Sequence, residues 1–211
     1  MEVEAACQIY LVYRVCNQEY EGRCVGLARA YLLLFREFPI DKTSVKRGEN
    51  SPEVVTATRC VNVGLFLSND LRRDVTVSFG ISDGAEWKII SFPGETLKRV
   101  SPDERSIAFF LLKAYEKLDS LSDNTIYTMD NGIVVQRIEP EQLLSAWEGN
   151  IYLARNGNAD ELKMGDRENS LYIYDIDTRM EIDDPKFEVV TRPRTPERFI
   201  VDINMIYDSR E

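Results

Sequence analysis

The chain contains no histidine, and that absence shapes any chemistry it can carry. His is the side chain whose ordinary pKa lies near neutrality, so Ser-His-Asp and Cys-His catalysis and imidazole-ligated metal sites are excluded together. Acid or base work falls to a carboxylate, Lys, Tyr or Cys. Arg192, Arg194 and Arg198 crowd one short segment, and Asp175, Asp177 and Asp202 lie on either side of it. Arginine at that density suits a phosphate, a nucleotide or RNA equally well. Each of the three carboxylates is a candidate base, with an ordinary loop or exposed helix position as its alternative. A second basic set comprises Arg59, Arg72, Arg73, Lys98, Arg99 and Arg105. The cysteines, Cys7, Cys16, Cys24 and Cys60, form no CxxC pair. They read as reduced, buried thiols and not as zinc ligands, so no metal is expected.

The formal charge of -10 argues against general nucleic-acid binding, which is driven by cation release from phosphates, but leaves room for a local basic patch. There is no run of 18 apolar residues, and the opening MEVEAACQIYLVYRV begins with acids. Neither a membrane span nor a secretory signal is supported, and the cytoplasm is the expected location.

The elements that must position these residues follow from pattern. Residues 1–30 concentrate Cys and aromatics without a sustained period and read as an N-terminal extension; residues 31–211 read as one α/β domain. Tyr31 to Phe38 reads as a strand, and the polar run from Pro39 to Asn50 as a surface arm. Three segments share one helix-start grammar of hydroxyl, Pro and carboxylate: Ser51-Pro52-Glu53, Ser101-Pro102-Asp103-Glu104 and Thr195-Pro196-Glu197. The second also offers a capping box from Ser101 to Glu104. Stripes at helical spacing follow each: Ala57, Val61 and Leu65; Ile107, Leu111, Ala114, Tyr115 and Leu118; Phe199, Ile203, Ile206 and Tyr207. A hairpin is expected from Val75–Ile81 and Trp87–Phe92. Short strands are expected at Gly132–Arg137, Asn150–Ala154, Leu171–Tyr174 and Phe187–Val190, with a helix around Pro140 to Trp147. This alternation implies an α/β layered fold with a largely parallel sheet flanked by helices.

Two segments carry more than pattern. RCVNVGLFLSNDLRRD (Arg59 to Asp74) and VSPDERSIAFFLLKAYEKL (Val100 to Leu118), supported by GIVVQR at Gly132 and NIYLARNG at Asn150, resemble the archaeal tRNA pseudouridine N1-methyltransferases of the SPOUT class. The resemblance runs from about Tyr31 to Asp208. It implies a C-terminal trefoil knot, a homodimer, S-adenosylmethionine as methyl donor and tRNA as the RNA partner. Leu153, Asp175, Thr191, Arg192, Pro193 and Arg194 are the cofactor-side positions it implies. Arg59, Arg72, Arg73 and Arg105 would contact RNA phosphates. The ordinary alternative for Arg72 and Arg73 is closure of a helix C-terminus, and for Arg105 a pairing with Asp103 or Glu53.

Three motifs depart from the family pattern. Pro52-Glu53-Val54-Val55 stands where the family has Gly-Arg-Leu-Asp. Asp175-Ile176-Asp177-Thr178-Arg179 replaces a Gly-Asp-His-Ile-Gly loop, and Arg198-Phe199 replaces a His-Cys pair. A side chain in place of the loop glycine obstructs close ligand approach, so weaker donor binding is expected. The reading from sequence is a divergent SPOUT-class RNA methyltransferase; the alternative is a noncatalytic RNA-binding or protein-interaction scaffold on the same fold.

Overall fold

The computed structural model describes residues 29–82, 86–156, 169–177 and 187–209. The readings placed on Cys7, Cys16, Cys24, Thr178 and Arg179, and most of the proposed extension, lie outside these residues. Arg29 and Ala30, read as the end of that extension, instead belong to the first strand, β1 (Arg29–Phe35).

The polar arm expected after it contains a helix, α1 (Lys42–Arg47), capped by Asp41 accepting from the Thr43 and Ser44 amides and stopped by Gly48 at φ 73°. Then come α2 (Pro52–Leu65), a two-residue ribbon of β2 (Phe66–Leu67) and β3 (Asp70–Leu71), and the hairpin of β4 (Val75–Ser82) and β5 (Trp87–Pro93). The next helix, α3 (Glu104–Asp119), starts later than expected. Its cap is Asp103, which accepts from the Ser106 amide at 2.8 Å, and Ser101 stays outside the helix. β6 (Ile126–Thr128), β7 (Val134–Ile138), α4 (Pro140–Ala146), β8 (Asn150–Arg155), β9 (Ser170–Asp175), β10 (Phe187–Thr191) and α5 (Pro196–Asp208) complete the described elements.

Eight strands form one sheet in the order β10-β8-β9-β1-β4-β5-β7-β6. From β10 to β4 every pairing is parallel; from β4 to β6 every pairing is antiparallel. Strand side chains alternate between faces. Tyr31, Leu33 and Phe35 therefore join Tyr152, Tyr172 and Tyr174 in the core under α2, α3 and α5, while Leu32 and Leu34 join Leu153 and Ile173 in the core that α4 helps cover. Most of the helical stripes bury as their spacing requires, with Ala57, Ile107, Leu111 and Ile203 fully enclosed, while Tyr115, Ile206 and Tyr207 are half-buried.

A buried polar cluster fixes α5 to the middle of this sheet. Arg29, 5% exposed, donates to Asp74 at 2.6 Å and to Asn204 Oδ1 at 3.1 Å, and its guanidinium lies 4.5 Å over the Tyr207 ring. Tyr31 donates to the same Asn204 oxygen at 2.7 Å. Asn204 in turn donates to the Val63 and Gly64 carbonyls of α2. At the rim Arg72 reaches Asp208 at 2.6 Å. Partial burial works against the Asp208 charge, but the hydrogen bond and charge of Arg72, with Arg29 behind it, hold its carboxyl below the ordinary value.

The consequence for stability has a definite sign. A depressed folded pKa makes the Asp208 contribution complete above the unfolded value, about pH 4, and removes it as pH falls through the folded value. Asp208→Asn is therefore expected to lower urea stability at pH 7 and to flatten the acid limb below it. An unchanged acid limb in that variant would assign the acid sensitivity to other carboxylates.

Candidate functional site

Parallel α/β sheets bind ligands outside the carboxyl ends of their strands, and here β8, β9 and β10 all end at one edge. Asp175 closes β9 and is buried. Its Oδ1 accepts from the Asp177 amide at 3.1 Å, and Asp177 Oδ2 accepts from the Arg36 amide just beyond β1 at 2.9 Å. Thr191 closes β10 and Arg194 follows it, both exposed. Arg194 makes no ion pair among the described residues.

Arg192 organises this edge. Its amide donates to the Arg155 carbonyl at 3.0 Å, while its guanidinium donates to the main-chain carbonyls of Asp175 and Ile176. The same group lies 4.0 Å over the ring of Tyr174. The Tyr174 hydroxyl donates to the Pro193 carbonyl at 2.8 Å; burial raises its pKa, Arg192 opposes that rise, and the net result keeps the donor protonated. Tyr174 also packs against Phe199 with centroids 5.6 Å apart. The end of β9 and the loop from β10 to α5 are thus clamped together by one side chain bonding to main chain.

The other predicted residues divide. Leu153 lies in the core on the opposite sheet face from Tyr174 and the Arg192 clamp, beside Ile173. Arg198 pairs with Asp202 one turn along α5 at 2.7 Å. Arg72 is engaged by Asp208, and Arg73 donates to the Gly94 carbonyl at 3.0 Å. Neither closes a helix: α2 stops at Leu65, and the β2–β3 ribbon intervenes. Arg105 has no carboxylate partner among the described residues, so the expected pairing with Asp103 or Glu53 is not made. Arg59 is likewise exposed and unpaired among them. Cys60 is buried in the core, and burial, with Glu197 adding to it, drives its thiol pKa well up. Tyr174, the platform for Arg192, was not read as part of the site, because its sequence signal is that of a core strand.

Comparison with known proteins identifies the lineage. Residues 51–177 match the family model described as "Putative SAM-dependent RNA methyltransferase". The tRNA (pseudouridine(54)-N(1))-methyltransferase of Methanococcus maripaludis strain C6 is 36% identical over 124 residues, covering 54% of this chain and 60% of the relative. The enzyme of the same name from Methanocaldococcus jannaschii is 36% identical over 124 residues, 54% of this chain and 59% of the relative. That from Haloferax volcanii is 37% identical over 86 residues, 41% of this chain and 42% of the relative. The chain thus spans at most about 60% of the length of these relatives. The family match covers more than half of the chain and takes in β8, β9 and the Asp175 end of the edge built above, so this chain belongs to the SAM-dependent RNA methyltransferase family.

Proposed function

We propose that this protein methylates tRNA at the N1 of a pseudouridine, using S-adenosylmethionine. The observation that carries the reading is the convergence of the β8, β9 and β10 ends at an edge held by Arg192. When bound, S-adenosylmethionine supplies an electrophilic methyl group together with one carboxylate and two cationic centres. The donor set here has matching chemistry: the Asp175 carboxylate for a cation, and the exposed Arg194, without an ion pair among the described residues, for a carboxylate. Asp175 and Thr191 would hold the donor, with Arg194 on its carboxylate; Arg192 and Pro193 fix the loop these residues stand on. Arg59 and Arg105 would meet RNA phosphates, whereas Arg72 and Arg73 serve the fold.

The path of the chain supports a knotted C-terminal half. β9 enters between β8 and β1, β10 returns to the far side of β8, and α5 crosses back to pack on α2. A homodimer is supported by apolar side chains left exposed on the edge strand and last described helix, Val189 and Met205. Among the described residues no helix is long and apolar enough to cross a membrane, and a tRNA substrate favours a cytoplasmic location. A noncatalytic scaffold is not favoured, because the family is described by methyl transfer.

Calorimetric titration with S-adenosylmethionine and its demethylated product tests the reading. Saturable heat is expected, followed by gain of one methyl group on a pseudouridine-containing tRNA by mass spectrometry. Arg192→Ala frees two carbonyls and is expected to weaken donor binding about tenfold, the scale of one lost buried hydrogen-bond set. Absence of heat at millimolar donor would end the enzyme reading.

A further inference from the structure

Helix α3 buries Ile107, Ala108, Leu111, Ala114 and Leu118. One turn apart on its outer side stand Arg105, Phe109 and Lys113, the last paired with Glu116 at 2.8 Å. Phe109 is 47% exposed, yet its ring is held: it meets Phe110 edge to face, with centroids 5.2 Å apart at 76°, and Phe110 packs on the main core.

The cations beside it are not explained by folding. Arg105 sits in the first turn of α3, where the helix dipole opposes positive charge, and it has no ion pair among the described residues. Arg59 of α2 is exposed. Asn50 reaches Glu104 at 3.0 Å and Asn62 reaches the Pro102 carbonyl at 2.6 Å, so the stretch of α2 between them, with Arg59 in it, runs along the start of α3. A half-exposed aromatic ring one turn from Arg105, with Arg59 on the adjoining helix and neither arginine ion-paired among the described residues, in a chain of charge -10, complements an unstacked base and its flanking phosphates. Aromatic platforms take bases of any identity, and arginine tracks the backbone.

We propose that Arg59, Arg105 and Phe109 form a docking surface for one unpaired nucleotide of the RNA substrate, the ring stacking on the base and the guanidinia neutralising the phosphates. This rests on the RNA reading above and adds to it a site remote from the Asp175 edge in sequence and secondary structure.

Filter binding of a tRNA transcript across a salt series, with donor titration as a control, tests it. Phe109→Ala is expected to lower tRNA affinity about tenfold without changing the salt slope, and Phe109→Trp to restore it. Arg105→Ala and Arg59→Ala should each reduce the slope by about one. Donor affinity should not move in Phe109→Ala, and thermal stability should fall only on the scale of one lost aromatic pair. Wild-type tRNA binding that Phe109→Ala leaves intact would overturn the proposal while sparing the RNA reading. A Phe109→Ala protein of half the wild-type solution mass would also overturn it, by making this face a contact between copies. If the wild-type chain retains no tRNA at low salt, the RNA reading fails and this inference falls with it.

Discussion

Replacing Arg29 by Met is expected to destabilise the protein by about 3 kcal/mol, the scale for removing one partner from a buried ion pair. That corresponds to a fall in Tm of about 6–12 °C for a chain of this size. Met keeps most of the stem volume, so the loss reports the guanidinium and not a cavity. Three acceptors depend on that group. Asp74 loses two donors to its Oδ2, Asn204 loses one of two donors to a single oxygen, and Asp208 loses its second cation. Urea denaturation of the single variant and of Arg29→Met with Asp74→Asn separates the pair from the rest, because the double variant should recover part of the loss. A cost below about 1 kcal/mol would reduce the cluster to the standing of a surface ion pair.

A comparable effect is expected from one methyl group at Gly132. This residue has φ 86°, and a Cβ there would lie 2.2 Å from the Thr96 carbonyl oxygen, which belongs to backbone that cannot step aside. The contact is built into a joint: Lys98 donates through its amide to the Asn131 carbonyl at 2.9 Å, and Thr96 Oγ1 donates to the Gly132 carbonyl at 3.2 Å. Gly48 provides the control, since its φ is 73° but nothing lies within 4 Å of the added atom. Gly48→Ala should cost about 1 kcal/mol for the left-handed conformation alone. Gly132→Ala should cost about 3 kcal/mol or more, because overpacking adds to that penalty. Equal losses in the two variants, measured by urea denaturation, would mean that the 94–98 loop yields.

Much of the fold was legible because local signals agreed with tertiary demands. The hairpin of Val75–Ser82 and Trp87–Pro93, the four later strands and the caps at Ser51 and Thr195 all lie where apolar pattern and turn chemistry put them. Helix α1 was missed for a physical reason: of its six residues only Val45 is buried, so hydrophobic periodicity carried no trace of it. Its evidence was Asp41 before and Gly48 after, signals that a polar stretch also offers in a turn. At α3 two caps competed, and Asp103 prevails over Ser101 because it bonds the Ser106 amide.

The site was legible only as composition. Arginines near residue 192 could be counted, but the strand-end carbonyls that Arg192 binds and the ring it covers come from β9, about 17 residues earlier, and depend on parallel pairing. Arg29, whose partners lie 45 and 175 residues away, was not singled out at all. Long-range pairing decides such roles, and no local pattern encodes it.

The central place of β1 sets the order in which the molecule can be made. It precedes β4 and lies far ahead of β9 along the chain, so its second flank must wait for β9 before it is paired. Its Arg29 waits longer still, for Asn204. During translation the nascent half-sheet therefore carries one open apolar flank, the kind of surface on which chaperones act and neighbouring chains aggregate. Completion of the sheet depends on contacts far apart along the chain, the kind that slow folding.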